Sequence, residues 1–202
     1  ALAQFGNCTA SEMRTYVDSA TGNTITMLTD TMKNDRFLYQ TDPMWTADGK
    51  YLLFRSSSRG NDKEVESTLP NGEKRKWTPT QIYFIEMATG KIIQATEGPN
   101  LGSAFLANKT NRMFVSRKEK ENRNMYVMDL NKFFADVKQG KVGKPSAYET
   151  FIGTFPTEMG RPGGYAVDCN DDYAYITVER EGTEEEKERM MKNAFLPESN
   201  QP

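Results

Sequence analysis

Short β-strands separated by tight turns recur along this sequence, and their spacing restricts the fold more than any other feature. Residues 81–87 form one apolar run, followed by a T-G-K turn at 88–91 and a returning strand at 92–95. This is the pattern of a β-hairpin. The same arrangement recurs further along the chain, so that Tyr83 and Tyr126 lie 43 residues apart at matching positions. The repeating unit is therefore strand, turn, strand, and not an alternation of strands with helices.

A repeat of this length is typical of a four-stranded β-propeller blade, whose period is about 40 to 45 residues. Further strands are expected at residues 51–54, 111–116, 124–130, 165–168 and 173–178. These give two blades and the first half of a third. One more strand, at residues 23–29, lies where propellers commonly supply an outer strand to the last blade and so close the ring. Blades are stable only when stacked in a ring of about four to eight. The predicted fold is thus all-β, a partial propeller of four-stranded antiparallel blades.

Two segments interrupt the repeat. Residues 57–79 are polar and rich in turn residues, which predicts a long loop between strands. The basic residues of this segment could bind an acidic ligand, but the acidic residues in the same segment favour a solvent-exposed surface. Residues 183–195 are expected to form a helical insertion, because Thr183 can cap a helix and acidic residues fill its first turn. A short helical turn is also expected around residues 132–137.

Composition excludes several kinds of chemistry. The chain contains no histidine, so a Ser-His-Asp arrangement, a histidine-ligated zinc site and a histidine general base are all excluded within it. Lysine and arginine number 26 against 28 aspartate and glutamate, and no apolar run approaches the length of a membrane span. Neither nucleic acid nor a membrane is therefore an expected partner.

The N-terminus and the cysteines bear on where the protein works. Residues 1–3 have the A-x-A form that precedes a signal-peptidase cut, which predicts a periplasmic or secreted protein. Cys8 and Cys169 lie 161 residues apart without metal-ligand spacing. Export would permit a disulfide between them, and the sequence leaves open whether one forms.

Several segments resemble the opening of the oligogalacturonate lyase family, at residues 16–29, 39–40, 45–54 and 88–98. The most specific element is D-x-x-T-G-x-x-I-T-x-L-T, from Asp18 to Thr29, followed by Tyr39 and Gln40. The D-G-K and T-G-K turns are shared with TolB-like propellers in general. The resemblance implies a seven-bladed propeller, of which residues 1–202 would be the N-terminal part, about two and a half blades. The remaining blades would lie on a C-terminal segment or a second chain.

The resemblance also implies an activity, the cleavage of oligogalacturonides or related acidic oligosaccharides by β-elimination. Removing the C5 proton of a uronic acid leaves negative charge on its carboxyl group, so a lyase must neutralise that group and place a base near C5. In the family, a divalent metal, manganese or calcium, is held by histidines and a glutamine of later blades, where an arginine is the suggested base. The metal ligands and the catalytic residues would therefore lie outside this chain.

Five residues of this chain are candidates for binding substrate, because the segment entering each innermost strand lines the central funnel. They are Arg36, Tyr39, Gln40, Asp42 and Arg161. Arg36 and Arg161 could pair bidentately with uronate carboxylates. An arginine before a strand is, however, more often a solvated or ion-paired residue, and Asp42 before a proline is a turn residue first. Trp45 precedes the D-G turn at a position typical of the blade core.

Three classes of function remain open from the residues alone. The favoured class is a polysaccharide lyase. The alternatives are a non-catalytic TolB-like propeller that binds protein partners through its funnel, and the propeller domain of a larger hydrolase. A histidine-rich ligand set on the missing blades would favour the first class, its absence would favour the second, and a G-x-S-x-G elbow would favour the third.

Overall fold

A computed structural model describes residues 5–60, 64–68, 72–120, 122–155, 161–179 and 185, without the side chains of residues 161–164 and 178–179. Within these residues the fold is mostly β. In chain order the strands are β1 (Cys8–Thr9), β2 (Arg14–Val17), β3 (Thr24–Met27), β4 (Asp35–Arg36), β5 (Tyr51–Ser56), β6 (Val65–Thr68), β7 (Lys74–Trp77), β8 (Gln81–Glu86), β9 (Ile92–Gln94), β10 (Leu101–Leu106), β11 (Arg112–Glu119), β12 (Asn122–Asp129), β13 (Glu149–Phe155), β14 (Arg161–Val167) and β15 (Ala174–Glu179). A helix, α1 (Leu130–Gln139), and a 3-10 turn at Pro145–Ala147 connect β12 to β13.

Two sheets and three hairpins make up the described chain. The first sheet has five strands in the order β1-β9-β8-β5-β4, and the second has four in the order β10-β11-β12-β13. The hairpins are β14–β15, β2–β3 and β6–β7. Every strand pair is antiparallel. The strands expected at 51–54, 81–87, 92–95, 111–116 and 124–130 are confirmed as β5, β8, β9, β11 and β12.

Central strands of the first sheet are buried on both faces, which explains their continuous apolar sequences. Leu53 of β5 and Phe84 of β8 are opposite each other and fully buried. The turn from β8 to β9 requires Gly90, whose φ is 70°. A side chain there would also collide with Ser11 of the N-terminal segment. This turn therefore also serves as a packing site for that segment.

The main core lies between the two sheets, and α1 fills part of it. Phe133 and Phe134 of α1 are buried with residues from both sheets. The ring of Phe134 stacks on that of Tyr51 in the first sheet, with centroids 3.6 Å apart. The helix begins where the side chain of Asp129 accepts a hydrogen bond from the backbone N–H of Lys132 at 3.1 Å. With ten residues, α1 is longer than the short turn expected at 132–137.

The other face of the second sheet packs on the β14–β15 hairpin. Phe105 and Phe114 are buried there, with Tyr165 and Ile176 of the hairpin against them. Asp171, in the turn between β14 and β15, accepts hydrogen bonds from the loop that joins β10 to β11. The sheets are thus stacked face to face in chain order.

Trp45 does not lie in the core as expected, because its side chain is 48% exposed. The buried residue before the turn is its neighbour Thr46, whose hydroxyl accepts a hydrogen bond from the N–H of Tyr51 at 3.1 Å and donates one to Asp48 at 2.7 Å. A shift of one residue along an extended chain moves a side chain to the opposite face. The polar residue therefore faces inward, where it holds the turn.

Other differences concern the N-terminal segment, the expected loop and the expected helix. The β6–β7 hairpin lies within residues 57–79, where only a loop was expected. The expected strand at 23–29 is β3, which pairs with β2, while β1 extends the first sheet beside β9. Cys8 and Cys169 are free and exposed. The helix expected at 183–195 lies outside the described residues except for residue 185. No helix of the described chain is long and apolar enough to cross a membrane.

Candidate functional site

An open cleft of about 780 Å³ lies where the first and second sheets meet the β14–β15 hairpin. One wall is formed by β4, the segment that follows it and the end of β5, and the opposite wall by β10. The chain leaving β7 and Tyr165 of β14 complete the lining. Strands β4 and β10 are edge strands of the first and second sheets. The cleft is therefore formed by edge strands of two sheets that follow each other along the chain.

Three of the five residues predicted to bind substrate line this cleft, namely Arg36, Tyr39 and Asp42. Gln40 is exposed but is not among the lining residues. The backbone of Arg161 begins β14 opposite Glu179, and its side chain lies outside the described part of the chain. The cleft thus brings together the first-sheet candidates except Gln40.

A tight turn after β4 sets the positions of Tyr39 and Asp42. The N–H of Asp42 donates a hydrogen bond to the carbonyl oxygen of Tyr39 at 2.8 Å, and Pro43 follows. The side chain of Tyr39 is 66% exposed, so its ring stands free at the cleft wall. Asp42 is half-buried. It therefore serves the turn through its backbone while its carboxylate lines the cleft.

The most unusual feature of the cleft is a pair of arginines, which we call the arginine pair: Arg36 on β4 and Arg55 on β5. They are directly opposite each other in the antiparallel register, and both side chains are exposed in the cleft. Such neighbours have Cβ atoms about 5 Å apart, and like charges placed this way destabilise the sheet. Arg36 Nε donates to Asn34 Oδ1 at 3.2 Å. Neither guanidinium forms an ion pair with a described residue.

Neighbouring acids do not neutralise the arginine pair. Asp35, next to Arg36, points to the other face of the strand and binds Arg59 with Nη2 and Oδ2 2.6 Å apart. Among the described residues that line the cleft, Asp42 carries the single carboxylate. The cleft therefore has an excess of positive charge, and an anion with planar acceptor oxygens suits two adjacent guanidinium groups.

Arg55 was not among the residues predicted to bind substrate, although the sequence of its strand carries a signal. It is the one charged residue in the strand Tyr51–Ser56, whose other five side chains are all buried. Trp77, 37% exposed and also lining the cleft, was missed because its segment was assigned to a loop. Aromatic rings beside a few polar groups are typical of sites for small organic ligands. Trp77 and Tyr39 supply such rings to the lining of the cleft.

Carboxyl groups with shifted pKa values lie away from the cleft. Hydrogen bonds from Arg59 lower the pKa of Glu12. Burial raises the pKa of Asp171, but N–H groups of Asn108 and Lys109 outweigh this effect and hold it below its usual range. Both carboxylates join elements of the fold, so their shifts mark structural contacts.

The described residues contain no group of three or more histidine, cysteine, aspartate or glutamate side chains that could hold a metal ion. Of the described residues that line the cleft, Asp42 alone carries a carboxylate that could bind a metal ion. The described part of the chain therefore does not fit the metal site that the sequence resemblance implies. The same resemblance assigns the ligands to blades outside this chain.

Comparisons with known proteins bear on the fold. No family model and no curated protein matches the chain. An oligogalacturonate lyase solved in complex with manganese aligns with 82% of this chain and 35% of its own, with a TM-score of 0.55 and 20% identity. A second oligogalacturonate lyase, from Vibrio parahaemolyticus, aligns with 83% of this chain and 35% of its own, with a TM-score of 0.56 and 21% identity.

These alignments show that the mostly β fold of this chain matches part of the fold of those two structures. At about 20% identity the relationship is one of fold. The chain spans about a third of the length of the lyases it matches.

Proposed function

We propose that this chain is the N-terminal part of a seven-bladed β-propeller that cleaves oligogalacturonides or related uronic-acid oligosaccharides by metal-assisted β-elimination. The first sheet is then the first blade, with β1 added at its outer edge, the second sheet is the second blade, and β14–β15 begin the third. The face-to-face stacking of the sheets in chain order supports this assignment. The cleft between the edge strands β4 and β10 also supports it.

The exposed face of the β14–β15 hairpin supports the existence of further blades. Ala174 and Ile176 of β15 face the second sheet, so the alternating residues face away from it. On that outer face Tyr175 is 58% exposed, and the ring of neighbouring Tyr173, 67% exposed, lies 6.5 Å from it. Such a surface suits the packing of a fourth blade, supplied by a C-terminal segment or a second chain.

The arginine pair is the observation that carries the assignment of a uronide site. In β-elimination a base removes the C5 proton, the C4–O bond breaks as a C4=C5 double bond forms, and the departing oxygen takes up a proton. Negative charge on the sugar carboxylate increases as the C5 proton leaves. Two guanidinium groups holding that carboxylate would stabilise this charge, and the position of Arg36 opposite Arg55 in the cleft supports this role for them. The base and the metal ligands would come from the missing blades.

The test is an assay of the complete protein with oligogalacturonate and either Mn²⁺ or Ca²⁺, following the absorbance of the unsaturated product. We expect the absorbance to rise. If it does not rise with any of a panel of uronides while the protein is folded, the lyase proposal fails and the TolB-like binding module becomes the better explanation.

A further inference from the structure

The β6–β7 hairpin has one face turned toward the cleft and one turned away. Its register pairs Val65 with Trp77 and Ser67 with Arg75. Because side chains alternate along a strand, these four residues share one face. Trp77 lines the cleft, so this is the face directed toward it. Lys74 lies on the opposite face.

Charge is distributed unevenly between the two faces. On the outer face Lys74 Nζ lies 2.7 Å from Glu66 Oε1, so its charge is neutralised. On the cleft face the partner strand offers only Val65 and Ser67, which carry no charge. Arg75 is exposed on this face, outside the residues that line the cleft itself, and forms no ion pair with a described residue. Within the described chain, this face therefore presents a guanidinium without a charge partner beside a partly exposed indole at the cleft.

The spacing of these groups suits one unit of an acidic sugar chain. Two residues apart on a strand, Arg75 and Trp77 have Cα atoms about 7 Å apart. The flat indole can cover the apolar face of a sugar ring, while the longer arginine reaches a carboxylate on the same ring or the next one. Thr78 and Thr80, which follow Trp77 in the chain, also line the cleft that contains the arginine pair.

The hairpin's isolation also points to a ligand. It pairs with no other strand of the described chain, and a lone two-stranded hairpin is marginally stable in water. Its four β7 residues are all exposed. Among the described residues, neither an ion pair nor burial holds the side chain of Arg75, which is therefore available to a ligand.

We propose that the cleft face of the β6–β7 hairpin is a second uronate subsite, in which Trp77 stacks on a sugar ring and Arg75 binds a carboxylate. The proposal rests on the proposed function, since it takes the arginine pair as the first subsite. It makes the protein prefer oligosaccharides long enough to reach both subsites.

The test compares the binding of digalacturonate and tetragalacturonate to the complete protein by calorimetry, with EDTA present to prevent turnover. Arg75→Ala and Trp77→Ala should each weaken tetragalacturonate binding about tenfold, the loss of one charge-assisted or stacking contact. Arg75→Ala, whose residue lies outside the cleft lining, should leave digalacturonate binding within about twofold. Lys74→Ala is the matched control on the same strand and should change neither affinity.

Each outcome decides between the proposals. If the wild-type protein binds neither sugar in EDTA and cleaves no uronide with Mn²⁺ or Ca²⁺ present, the proposed function fails and the second subsite fails with it. If it binds both but Arg75→Ala and Trp77→Ala leave tetragalacturonate binding unchanged, the second subsite alone is wrong. The same conclusion follows if Lys74→Ala weakens tetragalacturonate binding as much as Arg75→Ala does. It also follows if Arg75→Ala weakens the binding of both sugars equally.

Discussion

Arg59 holds Glu12 through two hydrogen bonds, from Nη1 to Oε1 at 2.9 Å and from Nη2 to Oε2 at 2.6 Å. The same guanidinium binds Asp35 with its other edge, Nε lying 2.8 Å from Oδ1. Its side chain is only 6% exposed. Arg59 therefore fastens the N-terminal segment to β4 and to the end of β5.

This contact predicts a loss of stability in acid. Hydrogen bonds from Arg59 lower the pKa of Glu12, so its contribution is complete above the unfolded-state pKa of about 4.3 and is lost as the pH falls through the lower folded-state pKa. Glu12→Gln should therefore reduce the free energy of unfolding by about 1 to 2 kcal/mol at pH 7 and by less in acid. Urea unfolding at several pH values measures this. Glu64→Gln, at an exposed position, is the control, and an equal deficit for Glu12→Gln at every pH would contradict the prediction.

The arginine pair predicts opposite effects on stability and activity. Arg55→Ala removes a repulsive cross-strand neighbour, so it should raise the free energy of unfolding by a few tenths of a kcal/mol, about the size of such pairs. It should also lower kcat/KM for oligogalacturonate about tenfold, through the loss of a charge-assisted contact. Arg36→Ala should behave alike. Lys144→Ala, at an exposed position outside the cleft, should change neither quantity. A variant that loses both stability and activity would show instead that the pair is structural.

Asp171 predicts a large effect on stability far from the cleft. Its carboxylate accepts hydrogen bonds from the N–H groups of Asn108, Lys109 and Thr110 and from the Thr110 hydroxyl, at 2.6 to 2.9 Å. Asp171 has a φ of 64° and is buried. Asp171→Ala should cost about 3 kcal/mol, because it strands several N–H groups and places alanine at a strained angle. Denaturant unfolding should show Asp172→Ala, its exposed neighbour, close to wild type.

Residues 1–202 alone should self-associate. The outer face of the β14–β15 hairpin leaves Tyr173 and Tyr175 exposed, and covering apolar surface yields about 25 cal/mol per Å². Sedimentation velocity should therefore detect oligomers that the double variant Tyr173→Asp/Tyr175→Asp reduces. Tyr39→Asp, equally exposed but in the cleft, should not reduce them. A monomer with a cooperative melt would refute the prediction.

Local sequence signals predicted most of the strands that carry the core. Strands β5, β8 and β11 combine continuous apolar runs with neighbouring turn residues, so both their type and approximate position could be predicted. The β6–β7 hairpin could not, because its strands are polar and exposed on both faces and show no apolar alternation. For the same reason the sequence hid the contribution of Trp77 to the cleft.

The candidate site was only half predictable because it depends on pairing between distant segments. Arg36 could be proposed from its position before a strand, but its significance comes from lying opposite Arg55, 19 residues later. Register is decided by packing over the whole sheet, which a local pattern does not contain. Trp45 shows the same limit, since a shift of one residue decided whether it or Thr46 faced the core.

Helix α1 has a consequence for the width of the cleft. It leaves the second sheet at the end of β12, yet its Phe134 lies flat against Tyr51 of the first sheet, and Lys138 near its end binds Glu86 there at 2.9 Å. Close-packed interiors transmit displacement instead of absorbing it. The distance between the two walls of the cleft is consequently fixed from behind, and a ligand must conform to it. Changing which ligands fit would require repacking Phe134 and Tyr51, neither of which lines the cleft.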